Sequence, residues 1–194
     1  YDPIWEVCED LGIVLTQHGG TGVPNYKGNP ATPFLLLMEV PFYAQKSMWH
    51  FILGGVFERF PNLKYVMTEQ GVSWVEPTLH RMDSIWDQMA STGRVGELGM
   101  TTDQMLPKKP SDYFQQNCWI GASFPAPSDA KSIQDIGVNN VMWGSDYPHT
   151  EGTYPHTREA LRNTFAGWEE SDLRAVLAGN TAHVYRMDLD YLAP

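Results

Sequence analysis

The sequence predicts an α/β fold in which parallel strands alternate with helices. Three observations support this class. Short apolar segments recur along the 194 residues, segments with helical spacing lie between them, and turns that contain Gly or Pro separate the apolar segments from the helical ones. Strand–helix–strand units of this kind are right-handed and build a parallel sheet. We expect four strands, at about 13–17, 64–69, 117–122 and 140–145.

The chain opens on a predicted helix. Asp2 and Pro3 suit a first helical turn, and Gly12 is a typical C-terminal stop. Four apolar residues share one face at helical spacing, Ile4, Val7, Cys8 and Leu11. This face is therefore expected to be buried, and the strand after Gly12 is expected to end in His18.

The same analysis assigns the later elements. A loop rich in Gly, Pro and Asn is expected over 21–40, and a second loop over 92–112. Helical patterns are predicted over 42–58, 75–90 and 157–166. Ser128 is expected to cap a short helix that Gly137 ends, and a last helix begins after Ser171 with an interruption at Gly179–Asn180.

Composition and charge exclude several classes of protein. The chain has 13 Lys and Arg against 23 Asp and Glu, a formal net charge of -10, whereas nucleic-acid binders are usually basic. No apolar run reaches the ~18 residues of a membrane helix. Cys8 and Cys118 are too few for a disulfide framework and are expected to be buried thiols, so a reducing cytoplasm is the expected location.

Three of the four predicted strands end in a chemically capable side chain, at His18, Glu69 and Asp146. The carboxyl ends of parallel strands share one edge of a sheet or barrel, so these side chains are expected to converge. A His facing an Asp indicates a metal site or an acid–base pair, with Glu69 as ligand, base or orienting group. The alternatives are a hydrogen-bonded edge histidine, a simple turn at 144–146 and a helix-capping glutamate.

The loop after the fourth strand adds further candidates. His149 and Glu151 follow Asp146 closely and are predicted to contact the substrate or the ligand residues, and His156 is a weaker candidate in the same loop. Three aromatic residues are predicted to line an apolar pocket, Trp74, Trp143 and Phe124.

Several motifs resemble the amidohydrolase-2 family, the metal-dependent hydrolases and decarboxylases similar to aminocarboxymuconate-semialdehyde decarboxylase. Residues 57–66 resemble its G-V-F-E-R-F-P-x-L-K segment, and 142–149 resemble its G-S-D-Y-P-H signature. Two further segments match, at 69–83 (E-x-G-x-x-W…L-x-R-x-D) and 179–182 (G-N-A-A). The resemblance covers nearly the whole chain, and the combination of motifs is specific.

The resemblance implies a distorted (β/α)8 barrel with one divalent metal, expected to be zinc, with manganese as the alternative. His18 and Asp146 match metal ligands, and Asp146 can also accept a proton. Glu69 stands where many relatives carry a catalytic His. The family's first-strand H-x-H or E-x-H pair is not found, and a complete barrel needs about 250 residues. Residues 1–194 are therefore expected to be one domain, the C-terminal part of a longer enzyme.

The resemblance leaves the reaction open. The first expectation is a metal-dependent hydrolase acting on a small cyclic or carboxylated compound. A nonoxidative decarboxylase is the alternative, because hydrolysis needs an attacking water whereas decarboxylation needs a proton donor to the ring carbon. A non-catalytic barrel remnant that only binds ligands is the second alternative. We also expect a small-molecule substrate, a homo-oligomer, no nucleic-acid or membrane partner, and little metal binding or activity by these 194 residues alone.

Overall fold

The computed structural model describes residues 1–19, 24–95, 97 and 105–189, without the side chain of Ala44. Within these residues one sheet contains β1 (Leu15–His18), β2 (Tyr65–Thr68), β3 (Cys118–Ser123) and β4 (Val141–Gly144). Neighbouring strands are parallel, in the order β1-β2-β3-β4. The α/β prediction is confirmed, and each strand begins and ends within two residues of its predicted bounds.

Helices connect the strands. They are α1 (Asp2–Leu11), α2 (Thr32–Leu53), α3 (Val56–Arg59), α4 (Val75–Thr92), α5 (Pro110–Asn117), α6 (Ala130–Ile136), α7 (Thr157–Thr164), α8 (Glu170–Arg174) and α9 (Asn180–Tyr185). The predicted stops at Gly12 and Gly137 are confirmed, with φ of 65° and 111°. Among the described residues, no helix is both long enough and apolar enough to cross a membrane.

The two faces of the sheet differ in what covers them. One face is buried against the helices, with Met67, Ile120 and Val141 at its centre. The other face carries a smaller buried cluster formed by Val66, Trp119, Met142 and Val184. Toward the carboxyl ends of the strands this second face continues with small or polar, partly exposed residues, Thr68, Gly121, Ser123 and Gly144. These short side chains leave room beside the edge where the candidate residues lie.

Helix α2 begins earlier than predicted. The expected loop over 21–40 is wrong from Thr32 onward, because Pro33 occupies the first turn and a run of apolar residues follows it. Residues 21–23 of that loop lie outside the described residues. Pro41 stands inside the helix without ending it. The predicted single helix over 42–58 is divided, because Gly55 adopts a left-handed φ of 67° between α2 and α3.

Three other local predictions are also wrong. Part of the expected loop 92–112 belongs to α5, which begins at Pro110, and residues 96 and 98–104 of that loop lie outside the described residues. Ser128 does not cap α6, which has no side-chain cap; the Asp129 carboxylate accepts a hydrogen bond from Ala126 N at 2.9 Å in the 3₁₀ turn Pro127–Asp129 that precedes the helix. The last helix is not interrupted at Gly179, because a wider π turn over Ala175–Gly179 joins α8 to α9.

The predicted apolar face of α1 is only partly buried. Cys8 is buried, but Ile4, Val7 and Leu11 are 52%, 53% and 66% exposed. The helix rests on its neighbours through Cys8 and through Trp5, whose ring lies 5.0 Å from the Phe51 ring. Periodicity predicted an apolar face but not the surface that would cover it. Both cysteines are buried, as expected, and burial raises the pKa of the Cys118 thiol.

Candidate metal centre

The carboxyl edge of the sheet carries the candidate side chains. His18 is the last residue of β1, Glu69 follows β2, and Asp146 lies two residues after β4. The backbone turns sharply at both acidic positions, with left-handed φ values of 55° at Glu69 and 61° at Asp146. Such angles are uncommon for residues other than glycine and tend to occur at functional sites.

His18 and Glu69 form a close pair. His18 Nε2 lies 2.5 Å from Glu69 Oε2, and Nδ1 lies 2.9 Å from the Gly19 carbonyl oxygen. A carbonyl can only accept, so Nδ1 carries a hydrogen and donates it. The His18 ring and the Glu69 carboxyl group therefore lie within hydrogen-bonding distance of each other at the edge of the sheet.

Asp146 and His149 form a second pair within one turn of chain. His149 Nδ1 lies 3.0 Å from Asp146 Oδ2, and the charge of Asp146 raises the pKa of His149 through this hydrogen bond. The loop returns to the strand because Thr153 N donates to the Ser145 carbonyl at 3.0 Å. Gly152 permits this return, since a Cβ there would lie only 2.6 Å from Ser145 O.

The two pairs meet in one cluster. Ligand atoms of Glu69, Asp146, His149 and Glu151 all lie within 4.8 Å of one another. Glu69 and Asp146 are half-buried, whereas His149 and Glu151 are exposed. A hydrogen bond from its own backbone N–H lowers the pKa of Glu151, so this group is a carboxylate at neutral pH. Three carboxylates at this spacing repel one another unless a cation lies among them.

The chemistry of the cluster suits a divalent metal. Carboxylate oxygens are typical ligands of hard cations such as manganese, and imidazole is a ligand of most transition metals. Sequence reasoning selected all four residues, but with His149 and Glu151 as substrate contacts. The structure adds them to the donor cluster, and it links His18 to this cluster through Glu69. The sequence signal for this cluster is the D-x-x-H-x-E spacing of residues 146–151, which places three donor side chains in one short turn of the chain.

The predicted aromatic residues occupy different environments. Trp74 precedes α4 and Trp143 lies in β4, and both are half-buried against the main core. Phe124 directly follows β3 and is 36% exposed. The pocket-lining role of these three residues stays a prediction. His156 directly precedes α7.

The chain matches a known protein family over nearly its whole length. The family model described as amidohydrolase matches residues 1–187. The chain belongs to the amidohydrolase family. The predicted family and fold class are thereby confirmed, while the domain bounds 1–194, the cytoplasmic location and the homo-oligomer stay predictions.

Solved amidohydrolase-family structures share this fold. An amidohydrolase from Mycobacterium avium subsp. paratuberculosis is 23% identical with a TM-score of 0.69, over 94% of this chain and 45% of that one. The 5-carboxyvanillate decarboxylase from Sphingomonas paucimobilis is 26% identical with a TM-score of 0.68, over 96% and 53%. A dihydroxybenzoic acid decarboxylase from Polaromonas, with bound manganese and the inhibitor 2-nitroresorcinol, is 19% identical with a TM-score of 0.62, over 96% and 54%. The chain spans about half the length of the structures it matches.

Proposed function

We propose that the protein is a metal-dependent nonoxidative decarboxylase that acts on a hydroxylated aromatic carboxylate. The observation that carries this proposal is the convergence of Glu69, Asp146, His149 and Glu151 within 4.8 Å at the carboxyl edge of the sheet. Sequence reasoning ranked hydrolysis first. Decarboxylation now has more support, because the 26%-identical structure is that of a decarboxylase and a second decarboxylase structure contains manganese.

The residues present fit a divalent cation. Asp146 and His18 are the residues that match family ligands, and Glu69 lies between them, 2.5 Å from His18. The carboxylate-rich donor set suits manganese better than zinc, which favours nitrogen and sulfur ligands. A bound cation would stabilise negative charge on the substrate oxygens during the reaction.

Glu69 is the proton donor in this proposal. Decarboxylation breaks the bond between the ring carbon and the carboxylate, releases carbon dioxide, and requires one proton on that ring carbon. Glu69 supplies this proton as a general acid, with its Oε2 atom 2.5 Å from His18 Nε2. In this proposal the Glu69 carboxyl group transfers its proton to the ring carbon, while Asp146, His149 and Glu151 are the donors of the cluster that would hold the cation.

His149 positions Asp146. Its Nδ1–H donates to Asp146 Oδ2 at 3.0 Å, and ligand carboxylates are commonly held by such hydrogen bonds. Glu151 adds a further negative charge beside them. A carboxylated substrate would be repelled by this surface unless a cation compensated for it, so substrate binding is expected to require metal.

The test is a comparison of reactions on the natural full-length protein. Carbon dioxide release from 5-carboxyvanillate and 2,6-dihydroxybenzoate would be compared with hydrolysis of esters and lactones, in metal-depleted protein supplied with Mn²⁺ or Zn²⁺. We expect metal-dependent carbon dioxide release, faster with Mn²⁺. Ester or lactone turnover without carbon dioxide release would instead support the hydrolase alternative, and binding without turnover would support the ligand-binding module.

A further inference from the structure

A third residue at the carboxyl edge shares the unusual backbone of Glu69 and Asp146. Phe124 directly follows β3 and has a left-handed φ of 37°. In the strand order β2-β3-β4, it follows the strand that lies between those of the two acidic residues. A positive φ is a strong outlier for a bulky residue, because its Cβ crowds the neighbouring backbone.

The backbone around Phe124 is fixed on both sides. Phe124 N donates to the Gly144 carbonyl at 2.8 Å, which ties it to the end of β4. The next carbonyl, of Pro125, accepts a hydrogen bond from the buried Thr164 hydroxyl at 2.7 Å. These contacts hold Phe124 in its strained conformation, and asparagine or glycine would adopt that conformation at lower cost.

Core packing does not account for the aromatic ring. Phe124 is 36% exposed, and it belongs to neither of the two buried apolar clusters on the faces of the sheet. A phenylalanine kept in a strained backbone for packing would be expected to bury its ring fully. A strained, exposed aromatic residue at the edge of the sheet that carries the donor cluster is instead typical of a surface that contacts a ligand.

We infer that Phe124 determines substrate specificity by contacting the aromatic ring of the substrate beside the donor cluster. This inference rests on the proposed function and deepens it, since it assigns the preference for an aromatic acid to a named side chain. Stacking or edge-to-face contact between rings contributes modestly to binding, on the order of a three- to tenfold change in affinity. Phe124 is thus a binding residue and takes no part in proton transfer.

The test uses Phe124→Asn and Phe124→Tyr in the natural full-length protein with Mn²⁺. The first removes the ring and suits a left-handed φ, whereas the second keeps both ring and strain. We expect Phe124→Asn to weaken 2-nitroresorcinol binding, measured by calorimetry, about three- to tenfold, and to raise the KM for an aromatic acid with kcat nearly unchanged. Phe124→Tyr should bind like the unaltered protein. Lys27→Asn is the matched control, because Lys27 also has a left-handed φ, of 50°, and should leave binding unchanged.

The outcomes separate this inference from the proposed function. Lost ring burial and relieved strain have opposite signs, so we expect the Tm of Phe124→Asn to move by no more than about 4 °C. Equal 2-nitroresorcinol affinity in Phe124→Asn and the unaltered protein would overturn the inference, even if carbon dioxide release confirmed the decarboxylase. Weakened binding without any carbon dioxide release would support Phe124 while overturning the proposed reaction. Failure of the unaltered protein to bind the inhibitor would overturn the inference itself.

Discussion

His18 Nε2 lies 2.5 Å from Glu69 Oε2, although the two residues end different strands of the sheet. The hydrogen bond that Nδ1–H donates to the Gly19 carbonyl orients the ring and directs Nε2 at the carboxylate. This one contact joins the first strand to the cluster formed with Asp146 and His149. The side-chain atoms that bind metal and those that transfer the proton are therefore expected to lie next to one another.

Glu69→Gln should reduce turnover strongly. The amide keeps the size of the side chain but cannot donate a carboxyl proton, so kcat for carbon dioxide release should fall by about 100-fold or more. Folding should be nearly unaffected, because Glu69 lies at the edge of the sheet and not in the core. Steady-state kinetics would be compared with those of Glu76→Gln, an exposed glutamate in the first turn of α4. A Glu69→Gln protein as active as that control would contradict the assigned role.

Asp146→Asn should abolish most activity with little loss of stability. Asparagine tolerates the left-handed φ of 61° at this position, so the backbone is preserved while the charge is removed. We expect activity in excess Mn²⁺ to fall by orders of magnitude, because Asp146 is a proposed metal ligand. Stability should change little, because a ligand carboxylate contributes mainly to metal binding and not to folding. Asp10→Asn, on the exposed side of α1, is the control with the same chemical change. Unchanged turnover in the metal-replete Asp146→Asn protein would remove Asp146 from the proposed site.

Gly152→Ala should displace the loop that carries His149 and Glu151. The new Cβ would lie 2.6 Å from Ser145 O, so the backbone must shift, and we expect a loss of about 1–3 kcal/mol in the free energy of unfolding. Turnover should fall in parallel. Gly71→Ala is the matched control, because its Cβ would meet nothing within 4 Å. The free energy of unfolding of both variants would be measured by denaturant titration. Equal values for the two would show that the turn at Gly152 tolerates a side chain.

Tyr113 should contribute to alkaline unfolding. Burial and the hydrogen bond from its hydroxyl to Glu58 raise the pKa of Tyr113 from 10.0 to about 12. Because the folded-state pKa is raised, the contribution to stability is complete below pH 10 and is lost as the pH rises through about 12. Tyr113→Phe should therefore flatten the fall in unfolding free energy across this range, and Tyr154→Phe, an exposed tyrosine, should not. Parallel pH profiles for Tyr113→Phe and the unaltered protein would contradict this assignment.

The fold class and the strand ends could be predicted because they depend on local patterns. Apolar strand segments and their polar last residues are visible in the sequence, so the shared edge of His18 and Asp146 followed from parallel topology alone. The exposed face of α1 could not be predicted, because periodicity does not reveal which surface covers Ile4 or Leu11. The close contact between Glu69 and His18 accompanies a left-handed φ at Glu69, which no residue type in that segment indicates.

The contribution of residues 146–151 to the cluster was underestimated for a similar reason. Sequence spacing suggested that His149 and Glu151 overhang the edge, but only the close return of the chain at Gly152 brings both into the donor group. Metal binding by the 194 residues alone was expected to be weak, on the assumption of two ligands. The structure brings donor atoms of four residues within 4.8 Å of one another, and the affinity of the 194 residues for metal stays a prediction.

The central claim is that these side chains hold a divalent cation. The most direct measurement is a titration of Mn²⁺ into the metal-depleted, natural full-length protein, followed by the electron paramagnetic resonance signal of free Mn²⁺. Our account predicts saturation at one ion per chain, and strongly weakened binding in Asp146→Asn but not in Asp10→Asn. A free-ion signal that rises in proportion to added Mn²⁺ from the first addition, or equal binding by all three proteins, would contradict it.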